Sequence, residues 1–123
     1  LEEIHAFVLD WYTCIDRREP VTTLLACIAR ADLEMVLPHE TIRGASAFRD
    51  WYERWCAQTP PVRHDVKELQ VSWDKTSGFT AECMVHQRTR NSSGSTNVRA
   101  SHVRWRFRVT SAGSIELLRY AAR

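Results

Sequence analysis

At 123 residues the chain is long enough for one domain with its own core and too short for two. Apolar side chains make up 44% and charged ones 26%, which excludes a disordered chain, and no apolar run approaches the length of a membrane span. The net charge of +2 hides an uneven split: residues 1–85 carry nine basic and fourteen acidic side chains, whereas residues 86–123 carry eight Arg against the single acid Glu116. No signal-peptide pattern is visible, although the chain begins at Leu1 rather than Met, which leaves room for a preceding segment. Cys14, Cys27, Cys56 and Cys83 are widely separated and form no Cys-x-x-Cys pair, so a zinc or dithiol site has no support. Free thiols in a reducing cytoplasm are expected.

Ile4, Phe7, Val8, Trp11, Cys14 and Ile15 recur at helical spacing and predict a first helix over residues 2–18. Pro20 stops it and can open the next. Val21, Leu24, Leu25 and Ile28 predict a second helix ending near Arg30. Residues 33–37 read as a short strand stopped by Pro38, and residues 39–44 as a second short strand or turn. Phe48, Trp51, Tyr52 and Trp55 predict a third helix after Gly44, closed by Thr59-Pro60-Pro61. From Val62 the period changes to two. Residues 62–75, 79–90, 97–110 and 114–122 read as four strands, with turns at 76–78, 91–96 and 111–113. Helices segregated to one side of a bent antiparallel sheet make an α+β fold. The expected single domain, residues 1–123, is a cone-shaped curved sheet whose three helices enclose an apolar pocket suited to a small molecule.

Two residues stand out within this order of elements. Asp16 ends the first helix, where a carboxylate opposes the helix dipole at a cost of roughly 0.3–1 kcal/mol. Arg17 and Arg18 could neutralise it, or it could bond turn amides. His64 opens the first long strand and could simply be exposed there. Brought together in a pocket, the pair is the smallest equipment for taking a proton from carbon or oxygen at neutral pH. Trp11, Trp51, Trp55, Trp73 and Trp105, with Tyr12, Tyr52, Phe48 and Phe107, are many aromatics for so short a chain. In a cone the core wall is also the pocket wall, so a flat apolar ligand could stack on them. Strand parity puts Phe79, Ala81, Cys83 and Val85 inward, which turns His86 out and makes Gln87 the polar group of that strand in the pocket, unless a bulge reverses the order and brings His86 in. Parity also puts Val103, Trp105, Phe107 and Val109 inward and Arg104, Arg106 and Arg108 outward, paired across strands with acids such as Glu82 or Glu116. A single basic strand on a chain this close to neutral gives little support to nucleic-acid binding. His39-Glu40 is expected at the pocket mouth; without a complementary cluster, no metal site is expected.

The order of elements, Trp11-Tyr12, Gly44…Phe48-x-x-Trp51-Tyr52 and His64-x-Val66-x-x-Leu69-x-Val71 resemble the nuclear transport factor 2-like superfamily, and within it the SnoaL-like group. The resemblance spans nearly the whole chain and implies fold more specifically than activity. In scytalone dehydratase-like members an Asp late in the first helix orients a His on the first long strand, and Asp16 and His64 match those positions. The resemblance thus implies a cofactor-independent dehydratase, isomerase or cyclase, a lyase or isomerase with His64 as base and Asp16 as its orienter. Tyr52 or Tyr12 would be the oxyanion donor, and Trp11, Trp51, Trp55, Gln87 and Trp105 would shape the pocket. It also implies a homodimer through the outer sheet face. Departures from the pattern are plain: the ketosteroid isomerase base falls on Leu37, and the tyrosine that precedes the dehydratase Asp is Ile15. These favour the alternative, a non-catalytic module holding an apolar ligand or a protein partner.

Overall fold

The computed structural model describes all 123 residues. Helix α1 (Glu2–Asp16) and a short α2 (Val21–Leu25) lead into strands β1 (Glu34–Val36) and β2 (Thr41–Arg43). Helix α3 (Gly44–Gln58) follows, and then the long strands β3 (Val62–Asp74), β4 (Gly78–Arg90), β5 (Thr96–Val109) and β6 (Ile115–Ala122). All six strands join one curved, open sheet in the order β2-β1-β6-β5-β4-β3. Its neighbours are antiparallel except β1 and β6, which run parallel. The expected α+β architecture is therefore present, with each long strand within a residue of its predicted bounds. No helix is long and apolar enough to cross a membrane.

The second helix is shorter than its apolar spacing predicts. Beyond Leu25 the chain is captured by the sheet: the Ala29 N–H donates to the Leu117 carbonyl, and the Leu117 N–H donates to that of Cys27. Ile28 thereby bridges to Leu117, and backbone groups bonded to β6 cannot also close helical turns. Helix α3 starts at Gly44, whose φ of +82° suits glycine at the corner between β2 and the helix.

The helices fill the concave face of the sheet. Val8, Phe48 and Leu117 are fully buried there, and Trp105 is 2% exposed. Trp105 lies edge-on to Trp11, Tyr12 and Tyr120, at centroid distances of 6.4, 5.6 and 4.8 Å. Burying side chains of this kind contributes roughly 1.5–3 kcal/mol each. Val109, expected inside, is exposed, because it ends β5 beyond the reach of the helices.

Two bulges set which residues face this core. In β3, Lys67 pairs with Met84 and Gln70 with Glu82, so Glu68 and Leu69 together oppose Cys83. The extra residue reverses the alternation. Val62, His64 and Val66 precede it on the concave face, and Leu69 and Val71 follow it there, packed against the core. In β6 the register slips between Arg119 and Leu117, which lets both Leu117 and Tyr120 turn inward.

Arg18 fixes the end of α1. It has a φ of +55°, and its guanidinium donates to the carbonyls of Cys56, Thr59 and Pro60 at 2.6, 2.8 and 2.9 Å. It also lies 4.8 Å from the centre of the Trp55 ring. One side chain thus ties the end of α1 to the end of α3 and the approach to β3.

The β3 bulge has a direct test. Glu68 holds a φ of +55°, a left-handed conformation that glycine adopts freely and β-branched residues resist. Glu68→Ile should unfold at lower urea than Glu68→Gly, a difference of about 1–2 kcal/mol. Equal midpoints for the two variants would mean that the bulge is not held in this conformation.

Candidate functional site

The last turn of α1 and the first turn of residues in β3 meet at Asp16 and His64. One carboxylate oxygen, Oδ1, lies 2.5 Å from His64 Nδ1, and the other accepts the His64 backbone N–H at 2.9 Å. Neither Arg17 nor Arg18 pairs with Asp16, and Arg18 is committed to the carbonyls after α3. The carboxylate is therefore spent on residue 64, which offsets its unfavourable place at a helix C-terminus. Its side chain is 23% exposed and that of His64 11%.

This geometry assigns the imidazole. An ionised carboxylate only accepts, so Nδ1 carries the hydrogen and Nε2 keeps its lone pair in the neutral ring. Nε2 has no hydrogen-bond partner, yet it is not among the buried unpartnered atoms. His64 lines an open cavity of about 290 Å³. The ring is held in plane by aromatics: Tyr12 stacks on it at 5.0 Å, and Trp55 lies tilted at 6.4 Å.

The cavity sits between α1, α3 and the concave face of β3 to β6. Trp11, Tyr12, Trp51, Trp55 and Gln87 line it, together with Leu37 to Glu40. His86 turns away from the cavity, one position from Gln87 on β4, and Gln87 is paired directly with His64 across the strands. Eleven of the eighteen lining residues are hydrophobic, so an apolar ligand would find most of its surface covered. No three His, Cys, Asp or Glu side chains converge as a metal site would need.

Two expected site residues lie elsewhere. Tyr52 does not line the cavity; its hydroxyl donates to the Glu19 carbonyl at 2.7 Å, in a groove on the far side of α3. Burial raises its pKa, so the phenol stays a donor to that carbonyl. Trp105 is a wall behind the wall: Trp11, Tyr12 and Tyr120 stand between it and the cavity.

Tyr12 and Tyr120 both line the cavity, and their hydroxyl oxygens are 2.9 Å apart. Burial pushes both up, Tyr120 to about 12 and Tyr12 well above its ordinary value, so both are protonated at neutral pH. Two O–H groups that share one hydrogen bond leave one hydrogen unspent, and neither hydroxyl has another partner. Tyr120 escaped sequence reading because the β6 bulge breaks its alternation with Leu117. Arg99 and Ser101, also in the lining, were in principle legible, since counting back by twos from Val103 and Trp105 reaches both.

No protein-family model matches this chain, and no curated protein matches it significantly. Solved structures do. A nuclear transport factor 2-like protein with a cystatin-like fold from Novosphingobium aromaticivorans superposes with a TM-score of 0.78 at 22% identity, over 98% of this chain and 79% of that one. A candidate aromatic ring hydroxylase from the same organism gives 0.82 at 14% identity, over 97% and 84%. A nuclear transport factor 2-like superfamily protein from Salmonella enterica serovar Typhimurium gives 0.83 at 13% identity, over 99% and 88%. At these identities the likeness is one of backbone, and with the six-stranded sheet and its helices it establishes that the chain has the nuclear transport factor 2-like, cystatin-like fold.

Proposed function

We propose that the protein is a cofactor-independent enzyme of the dehydratase, isomerase or cyclase type, acting on a hydrophobic, carbonyl-bearing small molecule. The observation that carries this reading is the His64 ring, bonded through Nδ1 to Asp16 and placed in the lining of an aromatic-walled cavity. His64 Nε2 takes a proton from the carbon next to the substrate carbonyl, and the C–H electron pair moves into an enolate. Asp16 holds the Nδ1 hydrogen and stabilises the imidazolium. The unspent hydrogen of the Tyr12–Tyr120 pair donates to the enolate oxygen. The imidazolium then returns its proton, either to a leaving hydroxyl, which departs as water, or to another carbon of the same framework. No oxidant or reductant is needed for that balance. Trp51, Trp55 and Trp11 offer faces on which a flat substrate stacks.

A second reading is favoured by one observation, the bond from the His64 N–H to Asp16 Oδ2, which makes the same carboxylate a structural clamp. In that reading the protein only holds its apolar ligand. A homodimer through the outer sheet face, in a reducing cytoplasm, belongs to the proposal on the strength of the family resemblance and the four free thiols.

The two readings separate at Asp16. In Asp16→Asn the amide oxygen can still accept the backbone N–H, while its NH₂ donates to Nδ1 and forces the hydrogen onto Nε2. Urea unfolding should then move by less than about 1 kcal/mol. Exchange of the acidic C–H of aromatic ketones into D₂O, followed by NMR, should slow by roughly 10²–10⁴-fold. A large stability loss with no enzyme-dependent exchange in the wild type would support the clamp alone.

The tautomer can be read without a substrate. Long-range ¹H–¹⁵N spectra of the wild type should find His64 with hydrogen on Nδ1 and a bare Nε2, and in Asp16→Asn the reverse. Hydrogen on Nε2 of the wild-type ring would remove the proposed base.

A further inference from the structure

We infer that the cavity takes an anionic ligand, a flat apolar acid whose carboxylate meets Arg99; this rests on the cavity reading above and adds the class of compound. Arg99 lines the cavity from β5, where it shares a face with Ser101, Val103 and Trp105. Several other arginines of the sheet meet acids, whereas Arg90 does not and Arg106 bonds only the Ser77 carbonyl. Arg88 meets Asp65, Arg104 meets Glu82, Arg108 meets Asp32 and Glu116, and Arg119 meets Glu34. Arg99 has no carboxylate partner and no hydrogen bond to the protein. The one acid in the lining, Glu40, is held by Arg54 at 3.0 Å. The cavity therefore presents a planar, five-donor cation without a counterion beside a mostly apolar wall, the combination that recognises a carboxylate on an aromatic or aliphatic body.

The register fixes where that anion would lie. His64 pairs with Gln87, and Gln87 with Arg99, so the three stand in a row across the concave face. Two strand spacings put the backbones of His64 and Arg99 about 10 Å apart. A ligand whose carboxylate engages Arg99 would reach toward Nε2 with its opposite end, crossing Gln87 and lying against Trp51 and Trp55. A fused two-ring acid suits both that span and a cavity of about 290 Å³. The carboxylate end is held while the far end is presented to the imidazole, so Arg99 is a specificity-determining residue rather than a catalytic one.

The probes are 2-naphthoate and its uncharged isostere 2-naphthamide, titrated by quenching of tryptophan fluorescence. The wild type should bind the acid about tenfold more tightly than the amide at low salt, with the preference shrinking as salt is added. Arg99→Gln should bring the two to near-equal affinity, Arg99→Lys should keep part of the preference, and His64→Gln should keep most of it. Arg99 is exposed and outside the core, so the two Arg99 variants should melt with the wild type. Equal affinities in the wild type, with the amide bound, would overturn the anion inference and leave the apolar cavity standing. A preference lost in His64→Gln but kept in Arg99→Gln would overturn it too, since the anion would then sit on the imidazole. Binding of neither probe would fail both the inference and the cavity reading beneath it.

Discussion

The Asp16 carboxylate holds two groups of a single residue, and the rest of the site depends on that. Through Oδ2 it fixes the backbone at the start of β3; through Oδ1 it fixes the ring that the same residue carries. Helix α1 and strand β3 are distant in sequence, and their junction is also where the chain passes from helices to sheet. An Asp at a helix C-terminus is disfavoured by the dipole. The structure offsets that cost through the two bonds to residue 64, while Arg18 bonds three carbonyls beyond α3.

The bulge at Glu68 and Leu69 is the second constraint. Without it a thirteen-residue strand of strict alternation would send either its first half or its second half to solvent. With it, His64 and Val66 reach the cavity side while Leu69 and Val71 close the core farther along. The left-handed Glu68 stores some strain at a position well away from the ligand-facing end. The core supports the imidazole in turn: Trp105 buttresses Tyr12, and Tyr12 stacks on His64. Packing quality therefore propagates to the orientation of one ring.

The long elements were legible because each follows one period over many residues. Helices α1 and α3 and strands β3 to β6 all appear where their apolar spacing puts them. What failed to show in the sequence were breaks in period. The α2 segment has helical spacing through Ile28, but hydrogen bonds to Leu117 override it. Tyr120 was hidden by the extra residue in β6. The family resemblance put Tyr52 in the pocket, yet a rotation of one residue on a helix separates Trp51 at the cavity from Tyr52 at the Glu19 carbonyl. Trp105 was placed on the correct face of β5; what its sequence did not reveal is the layer of Trp11, Tyr12 and Tyr120 in front of it.

Charge is sorted by the sheet into two economies. On the convex side, acids and arginines meet across strands, as in Arg104 with Glu82 and Arg108 with Glu116, so the excess of Arg in the last third of the chain is partly matched there. On the concave side the polar groups are few and are arranged in register: His64, Gln87 and Arg99 on neighbouring strands, with the phenol pair of Tyr12 and Tyr120 behind them. Of these, His64 Nε2, one phenolic hydrogen and the Arg99 guanidinium lack protein partners. Buried polar groups are normally satisfied, and Arg99, which is exposed, meets solvent at the open side of the cavity. An acceptor, a neutral donor and a cation left open along one wall match a ligand with an acidic hydrogen, a carbonyl oxygen and an anionic end, and that coincidence is harder to explain by a clamp than by a site.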